Sequence, residues 1–209
     1  MTPRLLLRFI QLLIGILLAV AAVSLWLGYR TPSRVPEEVR EGSYFLPAPM
    51  ESPSFALTTH FGEPATSGDF QGKILAVFFG YTSCPDVCPL TLSRLTDTFR
   101  LLQEEGDRIQ VLFISVDPAR DTPEQMARYL ANFHPSFLGL TGTEEEIRGV
   151  ADGFGAYFSA NGSGEHYTVD HTARTFVVDT EGRIPLTFPV TASPTEMARD
   201  LATLLRDFR

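Results

Sequence analysis

The stretch Ile74-Leu75-Ala76-Val77-Phe78-Phe79-Gly80-Tyr81-Thr82-Ser83-Cys84-Pro85-Asp86-Val87-Cys88-Pro89 decides how this chain reads. Ile74 to Phe79 is apolar without alternation, as in a strand buried on both faces. Beyond Pro89, Leu92, Leu95, Phe99 and Leu102 recur at helical spacing. A cysteine pair between a buried strand and an amphipathic helix is the layout of a thioredoxin-like site. The spacing is one residue longer than CxxC, because three residues separate Cys84 from Cys88.

On a helical path the two sulfurs face the same way, about 5–6 Å apart. That separation allows a disulfide after small adjustments, and it also lets two thiolates share one soft metal ion. Pro85 suits the first turn of a helix. Pro89 does not suit a helix interior, where it lacks a donor and clashes with the preceding turn. The cysteine turn is therefore expected to be irregular, with both sulfurs near the surface. Backbone N–H groups at the helix start favour the thiolate. The plain alternative is a buried disulfide or two inert core thiols.

Cys84 and Cys88 are the only cysteines of the chain, so no disulfide framework holds the fold and the core must hold by packing. The net charge is -8 over 209 residues, which excludes a nucleic-acid partner that needs clustered Lys and Arg. The four methionines are scattered and form no methionine-rich segment.

Phe9 to Tyr29 carries no charge. As a helix it reaches about 31 Å, the hydrocarbon thickness of a bilayer. Trp26 and Tyr29 stand at one end, where interfacial aromatics are common. Ala19-Val20-Ala21 fits a signal-peptidase site, but the apolar run continues past it, so an anchor is the preferred reading. Either reading carries the rest of the chain across a membrane. The organisation expected is a cytoplasmic N-terminus (1–8), a transmembrane anchor (9–29), a Pro- and Glu-rich tether (30–53) and one domain (54–209).

Within that domain the order is β-α-β-α-β-α-β-β-α, which predicts an α/β fold with a central mixed sheet flanked by helices. Phe55–Thr59 and the residues to Gly72 read as a short hairpin. The helix after the cysteines is expected to stop near Gly106. Ile109–Val116 is a second buried strand. Thr122-Pro123-Glu124-Gln125, Thr143–Glu146 and Ser193–Glu196 open three helices as capping motifs. Thr175–Asp179 and Ile184–Phe188 read as a late hairpin.

The loop before that hairpin is Tyr167-Thr168-Val169-Asp170-His171-Thr172-Ala173. Thioredoxin-like reductases usually place a cis-proline in the loop facing their cysteines. This loop has no proline and offers His171 at the corresponding place. Two thiolates and an imidazole suit copper as Cu(I) or Cu(II). Zinc accepts the same donors but usually wants a fourth. Of the other histidines, His60 reads as a surface residue, His134 as a helix-end cap and His166 as the strongest extra ligand candidate. Asp170 neighbours His171 in an extended segment and points the opposite way. Asp117 and Asp121 read as turn and capping residues, since carboxylate is a hard donor.

Three motifs now stand in order: Gly80-Tyr81-Thr82 leading into Cys84-Pro85-Asp86-Val87-Cys88-Pro89, then Ser115-Val116-Asp117-Pro118-Ala119-Arg120-Asp121-Thr122-Pro123, then Val169-Asp170-His171-Thr172-Ala173. In these the chain resembles the Sco/SenC family of membrane-anchored copper chaperones for cytochrome c oxidase assembly, over about Phe55 to Phe208. The resemblance implies a thioredoxin-like fold and Cys84, Cys88 and His171 as copper ligands. It implies delivery of copper to the Cu(A)-bearing oxidase subunit, and an upstream copper donor. It places the chain in a bacterial inner membrane as a single-pass protein facing the periplasm, or in the mitochondrial inner membrane. The competing reading is a thiol–disulfide oxidoreductase that cycles Cys84 and Cys88 between dithiol and disulfide to reduce the Cu(A)-site cysteines. A peroxiredoxin-type peroxidase fits the paired cysteines poorly.

Overall fold

The computed structural model describes residues 14–19, 21, 23, 43–162, 164 and 167–207. The chain divides into two units, residues 1–38 and 39–209. In the first, residues 14–19, 21 and 23 are helical. Among the described residues no helix is long and apolar enough to cross a membrane. The expected anchor over 9–29 lies mostly outside the described residues.

The second unit is built on β4 (Ile74–Gly80). All seven of its residues are buried, which is why its sequence shows no alternation. Ahead of it come β1 (Tyr44–Glu51), β2 (Ala56–Thr59) and β3 (Pro64–Thr66). After it come α1 (Val87–Leu102), β5 (Ile109–Ser115), α2 (Pro123–Leu130), β6 (Leu138–Thr141) and α3 (Glu144–Gly153). The chain ends with β7 (Phe158–Asn161), β8 (Thr168–His171), β9 (Arg174–Val178), β10 (Arg183–Pro189) and α4 (Pro194–Asp207). Eight strands form one sheet in the order β1-β10-β9-β4-β5-β6-β2-β3. Strands β4, β5 and β6 run parallel, so helices α1 and α2 make the crossovers. The other strands of the sheet pair antiparallel, giving the expected mixed sheet. Helices α1 and α4 pack together, and α2 lies against β6.

The predicted caps form. Thr122 Oγ1 accepts from the Gln125 N–H, Thr143 and Glu146 close a reciprocal box, and Ser193 and Glu196 do the same.

Three elements differ from the sequence expectation. The segment read as tether contains β1, which pairs with β10 at the sheet edge across a bulge between Phe45 and Met50. Pro47 and Pro49 cannot donate to a ladder, so this strand is confined to an edge, and seven of its eight residues are exposed. That exposure is why no apolar period marks it. Helix α1 ends at Leu102, and Gly106 lies inside a 3-10 turn over Gln103–Arg108, buried against Phe99. Gln103, at φ 51°, takes the left-handed position expected of that glycine. The loop before the late hairpin contains β8, which forms its own two-stranded sheet with β7.

Candidate metal centre

Two crossings of the fold bring the site together. The cysteine loop leaves the C-terminal end of β4. Strand β9 lies antiparallel beside β4, with Phe78 opposite Thr175, so the start of β9 sits at the same end. His171 ends β8 at the open end of the β7–β8 hairpin, opposite Phe158, three residues before β9 begins. An imidazole 83 positions away from Cys88 thereby arrives beside it, with His171 Nε2 3.4 Å from Cys88 Sγ. Ligand atoms of Cys84, Cys88 and His171 all lie within 4.8 Å of one another. Among the described residues no other group of His, Cys, Asp and Glu is arranged to hold a metal ion.

The cysteine turn is irregular, as its two prolines require. Helix α1 starts only at Val87, after Asp86 in a non-helical conformation. Pro85 therefore precedes the helix, and Pro89 occupies its first turn, where its missing N–H has no intrahelical acceptor to lose. Both sulfurs are more enclosed than expected. Cys88 is fully buried and Cys84 is 9% exposed. For Cys88 the reason is Gly80: a Cβ there would stand 2.8 Å from Cys88 Sγ and 2.8 Å from the Phe113 ring, so the missing side chain makes the space that sulfur fills. The His171 ring meets Phe78 and Tyr81 edge-on, both at 5.9 Å between centroids. Its Nδ1 lies 3.4 Å from the Thr172 carbonyl.

Cys84 and Cys88 are not joined by a disulfide in the structure. The hydrogen bond between them shifts their acidities in opposite directions. The Cys88 thiol donates to Cys84, and the N–H groups of Asp86 and Cys88 add to it, holding Cys84 down at about 4 against the opposing effect of burial. Cys88 is pushed up by keeping the proton of that hydrogen bond and by burial. The arrangement favours the thiolate at Cys84 and the thiol at Cys88.

Asp117 and Asp121 do more than turn and cap. Asp121 is fully buried, accepts from the Thr82 N–H at 3.0 Å and hydroxyl at 2.6 Å, and accepts from the Ser115 hydroxyl at 2.6 Å. It ties the cysteine loop to the end of β5, and Thr122 takes the cap instead. Burial pushes the Asp121 carboxyl up, opposed by those three bonds. Asp117 pairs with Arg120 and accepts from the Tyr167 hydroxyl. The quoted Ser115–Pro123 motif was the available signal for both. Asp170 is exposed and accepts from Asn161, pointing away from the site. His60 accepts from the Gly139 N–H at 2.9 Å rather than standing free on the surface. His134 packs against Phe99 and bonds Ser136 rather than capping α2. His166 lies outside the described residues.

The SCO1/SenC family model matches residues 46–206. The chain belongs to the SCO1/SenC family. It is 35% identical over 191 residues to a SCO2-like protein of Rickettsia felis, covering 90% of this chain and 92% of that one. The structure of Bradyrhizobium japonicum ScoI with copper bound superposes with a TM-score of 0.69 at 37% identity, covering 74% of this chain and 99% of that one. The apo Sco1 protein of Thermus thermophilus superposes at 0.71 with 41% identity, covering 78% and 95%. The expected thioredoxin-like arrangement, a central mixed sheet flanked by helices, is thus the Sco fold.

Proposed function

We propose that this Sco protein carries copper as cargo on Cys84, Cys88 and His171 and delivers it to the Cu(A) centre during cytochrome c oxidase assembly. The observation that carries the reading is the convergence of two sulfurs and one imidazole nitrogen within 4.8 Å. The donors fit the ion. Soft thiolates favour Cu(I), imidazole serves Cu(I) and Cu(II), and no carboxylate stands among the three. The copper-bound state of the Bradyrhizobium relative supports the same cargo here.

Cys84 is ready to ligate as a thiolate, whereas Cys88 must give up its proton, so loading releases acid. Three donors leave an ion open to a fourth from the receiving subunit, and transfer proceeds by ligand exchange. The chain acts as a single-pass protein anchored through residues 9–29, its domain outside the cytoplasm, receiving copper from an upstream donor.

A second reading rests on the same proton. A thiolate above a protonated partner is the arrangement of an attacking and a resolving thiol, which supports reduction of the Cu(A)-site cysteines with a Cys84–Cys88 disulfide as product. One comparison separates the two. His171→Ala is expected to cut Cu(II) binding far more than Cu(I) binding and to cripple Cu(A) assembly in cells, while the purified variant still reduces a model disulfide. Normal Cu(A) assembly by that variant refutes the chaperone reading and leaves the oxidoreductase.

A further inference from the structure

The hydrogen bonds of the Asp117–Asp121 loop go to neither sulfur nor the imidazole, yet they hold both halves of the site. Asp121 holds the cysteine half through Thr82. Arg120 reaches the histidine half. Its Nη1 donates to the Tyr167 carbonyl at 2.9 Å, and its guanidinium lies 3.7 Å over the Tyr167 ring. It also stands 5.7 Å from the ring of Tyr81, whose edge meets His171. Asp117 fixes the guanidinium from behind and takes the Tyr167 hydroxyl as well.

The clasp matters because of where His171 stands. Tyr167 immediately precedes β8, and β8 pairs only with β7, outside the main sheet. The hairpin turns through Gly162 and Gly164, both at positive φ, a pair of positions with little intrinsic stiffness. Phe158 and Val169 bury one face of the hairpin, and the Val169 backbone bonds the Tyr81 side chain, so the Arg120 clasp acts beside that contact.

We propose that Arg120 is a positioning residue for the copper site: by clasping Tyr167 to the Asp117–Asp121 loop it sets where His171 stands over Cys84 and Cys88. The inference rests on His171 being a copper ligand.

The test is a double-mutant cycle on the reduced full-length protein, with Cu(I) and Cu(II) affinities measured by competition and Cu(II) nitrogen hyperfine structure by electron paramagnetic resonance. Arg120→Ala is expected to keep Cu(I) affinity near that of the parent, because both thiolates remain. Its Cu(II) affinity is expected to fall roughly ten- to a hundredfold, the range for loss of a residue that orients a ligand, with weakened histidine hyperfine coupling. In the His171→Ala background the same substitution is expected to change Cu(II) affinity no further. Arg120→Lys keeps the charge beside Asp117 but cannot bridge it to the Tyr167 carbonyl while lying flat on the ring, so it shows the same defect if Arg120→Ala fails to fold. Equal losses with and without His171 overturn the proposal, as does unchanged Cu(II) affinity in both Arg120 variants. If His171→Ala itself leaves Cu(II) affinity unchanged, the ligand assignment falls, and the clasp falls with it.

Discussion

Lowering the pH from 8 to 5 should leave the reactivity of Cys84 almost unchanged, and the reason is quantitative. An ordinary thiol with the reference value 9.0 has about one part in ten thousand as thiolate at pH 5, whereas Cys84 at about 4 has about nine-tenths. The gain in thiolate is therefore about 10⁴. Intrinsic nucleophilicity falls with pKa at a Brønsted slope of about 0.4–0.5, so five units cost a factor of about 100 to 300. At pH 5 the net advantage over an ordinary thiol is about 30- to 100-fold. At pH 7 the thiolate gain is only about 100-fold, and the two effects cancel to within a factor of about three. A neutral-pH assay alone would thus miss the effect. The measurement is the initial rate at which the reduced, metal-free protein attacks a small aromatic disulfide, followed by release of the leaving thiol between pH 5 and 8. The expected profile is flat. Cys88→Ala removes the largest cause of the shift and should restore a steep dependence. A parent rate that falls tenfold for each pH unit refutes the preformed thiolate.

Gly80→Ala should destabilise the fold by about 1–3 kcal/mol, since the new Cβ meets Cys88 Sγ, Phe113 and Phe78 inside a filled core. Chemical denaturation measures that cost, and competition titration should show Cu(I) affinity falling with it as Cys88 is displaced. Asp121→Ala strands the buried Ser115 hydroxyl and the Thr82 N–H, so a loss of about 2–4 kcal/mol is expected in the same denaturation assay. A reporter enzyme fused after Arg209 should be active outside the cytoplasm, and recovery of the native protein in the soluble fraction with a start near residue 22 would replace the anchor with a cleaved signal.

The sheet and the ligand set were legible for different reasons. Strands β4 and β5 announced themselves because burial on both faces writes an uninterrupted apolar run, and the three capping motifs fixed helix starts through chemistry that needs only four neighbouring residues. Strand β1 was illegible because an edge strand broken by prolines buries almost nothing. Strands β7 and β8 were illegible because four-residue strands that pair only with each other leave no period long enough to detect. His171 was found by its place in the loop that faces the cysteines, where thioredoxin-like reductases carry a proline, and the family motif agreed. The deeper shortfall concerned Asp117, Arg120 and Asp121. Their spacing reads as a turn followed by a capped helix, and the turn exists, with the Arg120 and Asp121 N–H groups bonded to the Asp117 carbonyl. What spacing cannot show is that Thr82 lies 39 residues back and Tyr167 lies 47 residues on, each meeting this turn only because β4, β5 and β9 are adjacent in the sheet. Local chemistry placed the two sulfur donors in the sequence, and the loop expected to face them placed the imidazole. The side chains that hold those donors to one another are products of strand order, so they become visible only once the sheet is assembled.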